Sequence, residues 1–186
     1  MGKLVVSEFV TLDGVMEDPG GAEAFDRGGW AFQFPRGDEG DKFKLDEVMD
    51  ADALVLGRTT YEGFAEAWPA REDEVGFADK MNSMPKYVVS TTMDTAEWNN
   101  STVVREVSEV GDLKERHDGD LLVYGSATLV GALVDQGLVD ELRLMIFPVV
   151  LGAGKRLFPD GVARQPFTLA ETKQAGETAL VTLRRA

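Results

Sequence analysis

The chain has 186 residues, 44% of them hydrophobic, which suits one α/β domain with a sizeable core. Its 19 basic and 33 acidic residues leave a net charge of −14, which argues against nucleic acid or an anionic membrane as partner, because phosphate contacts need a basic face. With no cysteine, disulfides and thiolate metal sites are excluded, and no apolar run approaches the ~18 residues of a membrane helix.

Leu4–Val10 reads as a first strand, left through the turn Thr11-Leu12-Asp13-Gly14. It starts at once, without a signal-peptide pattern, so a cytoplasmic protein is expected. Ser7 and Glu8 interrupt its apolar run; each either alternates outward or faces a crevice near the strand's carboxyl end. Glu17–Gly40 is loop-like, with seven Gly and Pro residues before Asp38. A loop of that length in a compact domain is often a lid or a binding loop. Trp30, Phe32 and Phe34 alternate inside it, as an edge strand over the core or as an aromatic wall for a flat ligand. Asp38–Asp50 looks helical, with Phe43, Val48 and Met49 as inward positions.

Ala53–Phe64 organises the chain. The buried run Leu54-Val55-Leu56 ends at Gly57, and Arg58, Thr59 and Thr60 open a helix. Free N–H groups at a helix start, the helix dipole and threonine hydroxyls suit an anion, and Arg58 suits a phosphate monoester. On this stretch alone, a tight turn and a solvated arginine explain the residues as well. Asp73–Met84 reads as a helix, with Phe77, Met81 and Met84 inward. Lys86–Val89 is the next strand, ending in Ser90, Thr91 and Thr92. A short strand, Thr102–Arg105, and a surface helix, Glu109–His117, follow. His117, the one histidine, lies among charged residues and reads as solvated, which disfavours a histidine triad or a His-rich metal site. Asp120–Tyr124 is a strand running into Gly125-Ser126 and an amphipathic helix, Thr128–Gln136. Ser126 is its expected N-cap and Gly137 its C′ residue. Asp140–Phe147 is another strand. Phe167–Lys173 and Thr178–Arg184 form an antiparallel hairpin.

The pattern predicts a single α/β domain over residues 1–186: a mostly parallel central sheet flanked by helices, with an antiparallel C-terminal hairpin. Ligands in such sheets bind at the carboxyl ends of the strands. Three strand ends carry Gly57-Arg58, Ser90-Thr91 and Gly125-Ser126, so a long phosphorylated ligand such as a dinucleotide is expected there.

The chain resembles the dihydrofolate reductase-like superfamily, in the branch of the riboflavin-biosynthesis pyrimidine reductase domain and its small relatives. The residues that carry this are Thr11–Gly14, Leu56–Tyr61, Pro85–Ser90, Gly125-Ser126 with Leu129, Val139–Leu142 and Pro148–Gly154, in family order. The resemblance implies NADPH as hydride donor to a small pterin- or pyrimidine-like heterocycle. Carried over by position, Gly57 and Arg58 would meet the adenosine 2′-phosphate end, with Thr59 and Thr60 at the helix start near the diphosphate. Ser90 and Thr91 would lie by the adenine-ribose. Gly125, Ser126, Ala127 and Thr128 would cradle the diphosphate from the other side. Ser7 and Glu8 would lie at the strand edge near the nicotinamide amide, through backbone groups. Asp41 falls where true dihydrofolate reductases carry the acid, and Lys155 and Arg156 are candidates for a ribose-phosphate. The resemblance also implies a homodimer. Two other readings stand beside it: a non-catalytic nucleotide-binding scaffold of the same fold, and a flavodoxin-like FMN protein. The second is disfavoured because the first strand lacks a phosphate loop.

Overall fold

The computed structural model describes residues 1–186. Its strands are β1 (Leu4–Thr11), β2 (Ala51–Gly57), β3 (Lys86–Val89), β4 (Ser101–Val104), β5 (Asp120–Val123), β6 (Glu141–Phe147), β7 (Phe167–Ala175) and β8 (Thr178–Arg185). They form one sheet in the order β4-β3-β2-β5-β1-β6-β8-β7. The six strands from β4 to β6 are parallel, and β8 and β7 are antiparallel, as expected from the hairpin pattern. A flavodoxin-like sheet runs in the order 2-1-3-4-5; here β1 and β2 are separated by β5.

The five helices are α1 (Gly37–Asp50), α2 (Arg58–Ala67), α3 (Phe77–Ser83), α4 (Glu109–Arg116) and α5 (Ala127–Asp135). Period-2 alternation along the strands supplies two core layers. Val5, Leu54, Leu56, Val88 and Leu122 pack with Val48 of α1, Tyr61 of α2 and Met81 of α3. Leu4, Val6, Ala53, Val55 and Leu121 pack with Leu113 of α4 and with Leu129 and Leu133 of α5. Each fully buried aliphatic contributes roughly 1.5–3 kcal/mol. A third cluster, Trp30, Met145, Phe147, Ala175 and Leu180, closes the β6–β8 end of the sheet.

Four local expectations are corrected. Trp30–Gln33 is a 3-10 turn, not an edge strand, and only Trp30 is buried there; its indole N–H donates to the Glu17 carbonyl at 2.9 Å. The buried residues of α1 are Gly40, Glu47 and Val48, whereas Met49 is exposed. The third helix begins at Phe77 rather than Asp73, because the Asp73 carboxylate accepts the N–H groups of Val75, Phe77 and Ala78 and holds a turn ahead of the helix. His117 is not solvated: its Nε2 is 2.9 Å from the Tyr87 hydroxyl and its ring packs edge-on against Tyr87.

Asp13 ties the turn after β1 to the Leu151-Gly152 segment. It accepts from the Thr11 hydroxyl at 2.6 Å and from the amides of Leu151 and Gly152 at 3.2 and 2.7 Å. The Thr11 hydrogen bond, helped by these amides, lowers its pKa from 3.8 to about 2. A depressed carboxyl stabilises the fold above its unfolded value and loses that contribution as pH falls through the folded one. Asp13→Asn is therefore expected to be less stable than the parent at neutral pH. Urea denaturation at a series of pH values should show the deficit closing between 3.8 and about 2.

Candidate active site

The site exists because β5 ends early. β1 stays paired with β6 from Val5 to Thr11, but with β5 only from Leu4 to Val6, because β5 stops at Val123. Beyond it the chain turns off through Gly125 and Ser126 into α5 and leaves that edge of β1 open. A cleft of about 1280 Å³ opens at the carboxyl ends of the two strands, above the ~300–1,000 Å³ usual for one small ligand. Arg36, Lys42, Lys44, Arg58, Arg71 and Lys155 line it. Six of the chain's 19 basic residues line the cleft beside seven acidic ones, so its lining is much nearer charge balance than the chain as a whole, and an anion there would be held by individual groups rather than by a positive field. A smaller hollow of about 620 Å³ between α2 and the Trp98 segment is lined by Glu66 and Glu97 and by no cation.

Two of the three expected strand–helix junctions meet in the cleft wall. The Ser126 hydroxyl accepts the Gly57 amide at 2.8 Å and donates to the Tyr124 carbonyl at 3.2 Å. Ser126 therefore precedes α5 without capping it, contrary to expectation, since its oxygen is turned across to β2. Gly125 and Ser126 both have positive φ, 57° and 63°. A serine held there is strained, and such strain gathers at functional sites. A Cβ on Gly125 would lie 2.9 Å from Thr60 Oγ1, so only glycine lets the two junctions approach this closely. Gly57, Arg58, Thr59 and Thr60 line one side of the cleft, and Gly125, Ser126, Ala127 and Thr128 the other. Helices α2 and α5 both begin there, so both sets of free N–H groups face one space.

Arg58 lies at the rim, half exposed. Its Nε donates to Glu62 at 2.7 Å and its terminal nitrogen to the Thr92 hydroxyl at 2.9 Å. The third junction does not line the cleft. Ser90 is buried and caps its own turn through the amides of Thr92 and Met93, and Thr91 is exposed.

The floor of the cleft is a buried polar cluster. Glu47 on α1 accepts from Ser7 Oγ at 2.8 and 2.9 Å and from the Tyr124 hydroxyl at 2.7 Å, and pairs with Lys44. The Lys44 ammonium also donates to Ser7 Oγ at 2.9 Å and sits 4.3 Å from the Tyr124 ring centre. Burial and the neighbouring Glu47 push the Tyr124 hydroxyl well above its ordinary pKa. Glu8 lies beside this cluster, with its Oε2 accepting the Gly125 amide at 3.0 Å. Burial raises the Glu8 carboxyl well above the usual carboxylate range, and Lys44 and the Gly125 amide offset this only in part.

Asp41 lines the cleft, but 63% of its side chain is exposed and it pairs with Arg36 at 2.6 Å. Lys155 lines the cleft, whereas Arg156 bridges to Val15. Of the aromatic stretch, Phe32 alone reaches the cleft. Lys44, Glu47 and Tyr124 escaped the sequence reading. One signal was present: the inward helical stripe of α1 carries Lys44 and Glu47 where a plain core helix carries aliphatics.

Comparison with known proteins agrees with this architecture. The chain is 31% identical over 176 residues to the uncharacterised protein YyaP of Bacillus subtilis (strain 168), covering 92% of this chain and 88% of the relative. It is 28% identical to YwjB of the same organism, covering 94% and 93%. A crystal structure from Shewanella sp. PV-4, of a protein provisionally described as a riboflavin biosynthesis protein, superposes with a TM-score of 0.74 at 20% identity, covering 99% of both chains. The model of the RibD C-terminal domain matches residues 2–181, and with that match and the kinship to YyaP, this chain belongs to the RibD C-terminal domain family.

Proposed function

We propose that the protein is an NADPH-dependent reductase of a small pterin- or pyrimidine-like heterocycle. The observation that carries this reading is the pair of stitched junctions, Gly57–Thr60 and Gly125–Thr128, which bring two helix starts to one cleft. The residues present fit a nicotinamide dinucleotide. The close approach at Gly125 brings the starts of α2 and α5 together for a diphosphate, and the Arg58 guanidinium stands at the rim beside Thr92 for a 2′-phosphate. Bound there, the nicotinamide supplies a hydride; the chain's own part is to orient the two rings and exclude water. The Ser7–Lys44–Glu47–Tyr124 cluster fixes the floor on which they rest. Asp41, which lines the cleft and pairs with Arg36, is the residue proposed to meet the heterocycle as its acid.

Calorimetric titration with NADPH, NADH and FMN tests the reading. NADPH is expected to bind more tightly than NADH. Arg58→Ala should erase the preference, about 10- to 100-fold, the worth of a charge-assisted hydrogen bond of ~1.5–3 kcal/mol. Failure of both nicotinamides to bind the parent protein would sink the proposal. NADPH binding without oxidation by any of a panel of pterins and aminopyrimidines would favour the non-catalytic scaffold.

A further inference from the structure

We propose that Glu8 recognises a planar heterocycle in the opening beside β1 beyond the end of β5, its carboxylic acid donating the Oε1 hydrogen to a carbonyl oxygen or imine nitrogen of that ring. The inference rests on the reductase reading only for the identity of the ring.

Two buried carboxylates lie at the floor of the cleft, and their surroundings differ. Glu47 has Ser7, Tyr124 and Lys44 converging on its two oxygens. That donor set suits a carboxylate. Glu8 has one donor, the Gly125 amide on Oε2, and its Oε1 is buried without any partner. An ionised carboxylate so placed would leave most of its acceptor capacity empty in a dry site, at large cost. The acid form turns the orphaned oxygen into an O–H donor. The charged groups around it are divided, and burial outweighs them. From α1, Lys44 favours the ionised form and Glu47 opposes it. From the segment after β5 come the Tyr124 hydroxyl, already given to Glu47, and the Gly125 amide. From β6, Arg143 is engaged by Glu141 and Asp120.

The donor has no acceptor within the protein, yet Glu8 lines the cleft. It stands two residues past the last β1–β5 register pair, Val6↔Val123, on the stretch of β1 that the end of β5 leaves without a neighbour on that side. A ring entering edge-on beside that open strand edge meets Glu8. Two sources offer the matching chemistry: the carboxamide of a nicotinamide, or the ring of a pterin-like substrate.

Infrared difference spectra of the parent protein against Glu8→Gln test this, first without ligand, then with NADPH, then with 7,8-dihydropterin. A protonated carboxyl band is expected at neutral pH in the parent and not in the variant, and one of the two ligands should move it. Movement with NADPH identifies the carboxamide as acceptor; movement with dihydropterin alone identifies the substrate ring. A carboxylate signature in the free protein, or a band that neither ligand moves, overturns the inference. Calorimetry supplies a second readout. Affinity for the responding ligand should fall as pH rises in the parent and stay flat in Glu8→Gln, whose amide donates without titrating. Glu8→Met should lose at least about tenfold, and equal affinity in Glu8→Met would also overturn the inference. The two proposals fail separately. If NADPH does not bind but dihydropterin moves the band, the cofactor reading falls and the role of Glu8 stands. If NADPH binds tightly and neither ligand moves the band, the reverse holds.

Discussion

Lys44→Met is expected to lower folding stability by about 3–5 kcal/mol, the cost of stranding one member of a buried ion pair. The partner stranded is Glu47, whose side chain is 2% exposed. Ser7 and Tyr124 would remain as donors, but both are neutral hydroxyls. Methionine keeps the length and apolar stem of lysine, so packing against Phe9 and Tyr124 is largely retained and the loss is electrostatic. For a chain of this size the midpoint of thermal unfolding should drop by roughly 6–20 °C, at about 2–4 °C per kcal/mol. The double change Lys44→Met with Glu47→Gln should recover much of the loss, since the amide carries no charge to strand and its oxygen still accepts from Ser7 and Tyr124. Scanning calorimetry of the three variants decides the point. A single-variant loss below about 1 kcal/mol would mean that the cluster does not hold a buried ion pair.

Gly125→Ala is the second large effect, and it separates folding from binding. The backbone there has φ 57°, a conformation that costs an L-residue roughly 1–2 kcal/mol. The new Cβ would also lie 2.9 Å from Thr60 Oγ1 and 3.0 Å from Thr60 Cγ2, so the start of α2 must move away from the start of α5. Stability should fall by about the backbone cost. NADPH affinity should fall by at least about tenfold, because the two sets of amides no longer face one diphosphate. Adding Thr60→Ala removes both clashing atoms and leaves the backbone strain. It should restore part of the binding and little of the stability. Unchanged affinity in Gly125→Ala would remove the stitched junctions from the site.

The parts of this molecule that were legible in its sequence are the local ones. Leu54-Val55-Leu56 followed by Gly57 and Arg58 is strand, turn and helix start within a few residues, and the structure has that order. The hairpin of β7 and β8 was readable for the same reason: two alternating arms with Gly176 between them. The floor of the cleft was not readable, because its bonds join residues far apart in the chain. Ser7 reaches Glu47 across 40 positions, Tyr124 reaches it across 77, and Gly125 meets Glu8 across 117. Lys44 and Glu47 look like two more charges on an acidic helix until β1 and β5 are laid beside it. His117 read as a surface residue for the same reason, its partner Tyr87 lying 30 positions away. Asp73 shows the opposite failure. The apolar spacing of Phe77, Met81 and Met84 was correct, but a carboxylate ahead of it took the backbone amides and delayed the helix.

The short ladder between β1 and β5 makes the sheet mechanically uneven. Along β6 the first strand is fastened from Val5 to Thr11; along β5 the fastening ends at Val6. Twist one half of the molecule against the other and the load falls on Leu4, Val5 and Val6, while the longer seam carries it over more than twice as many rungs. The width of the opening is thus governed by a brief run of aliphatic strand at its root. Mutations at that root, well away from any ligand atom, alter how thick a ring the protein can grip.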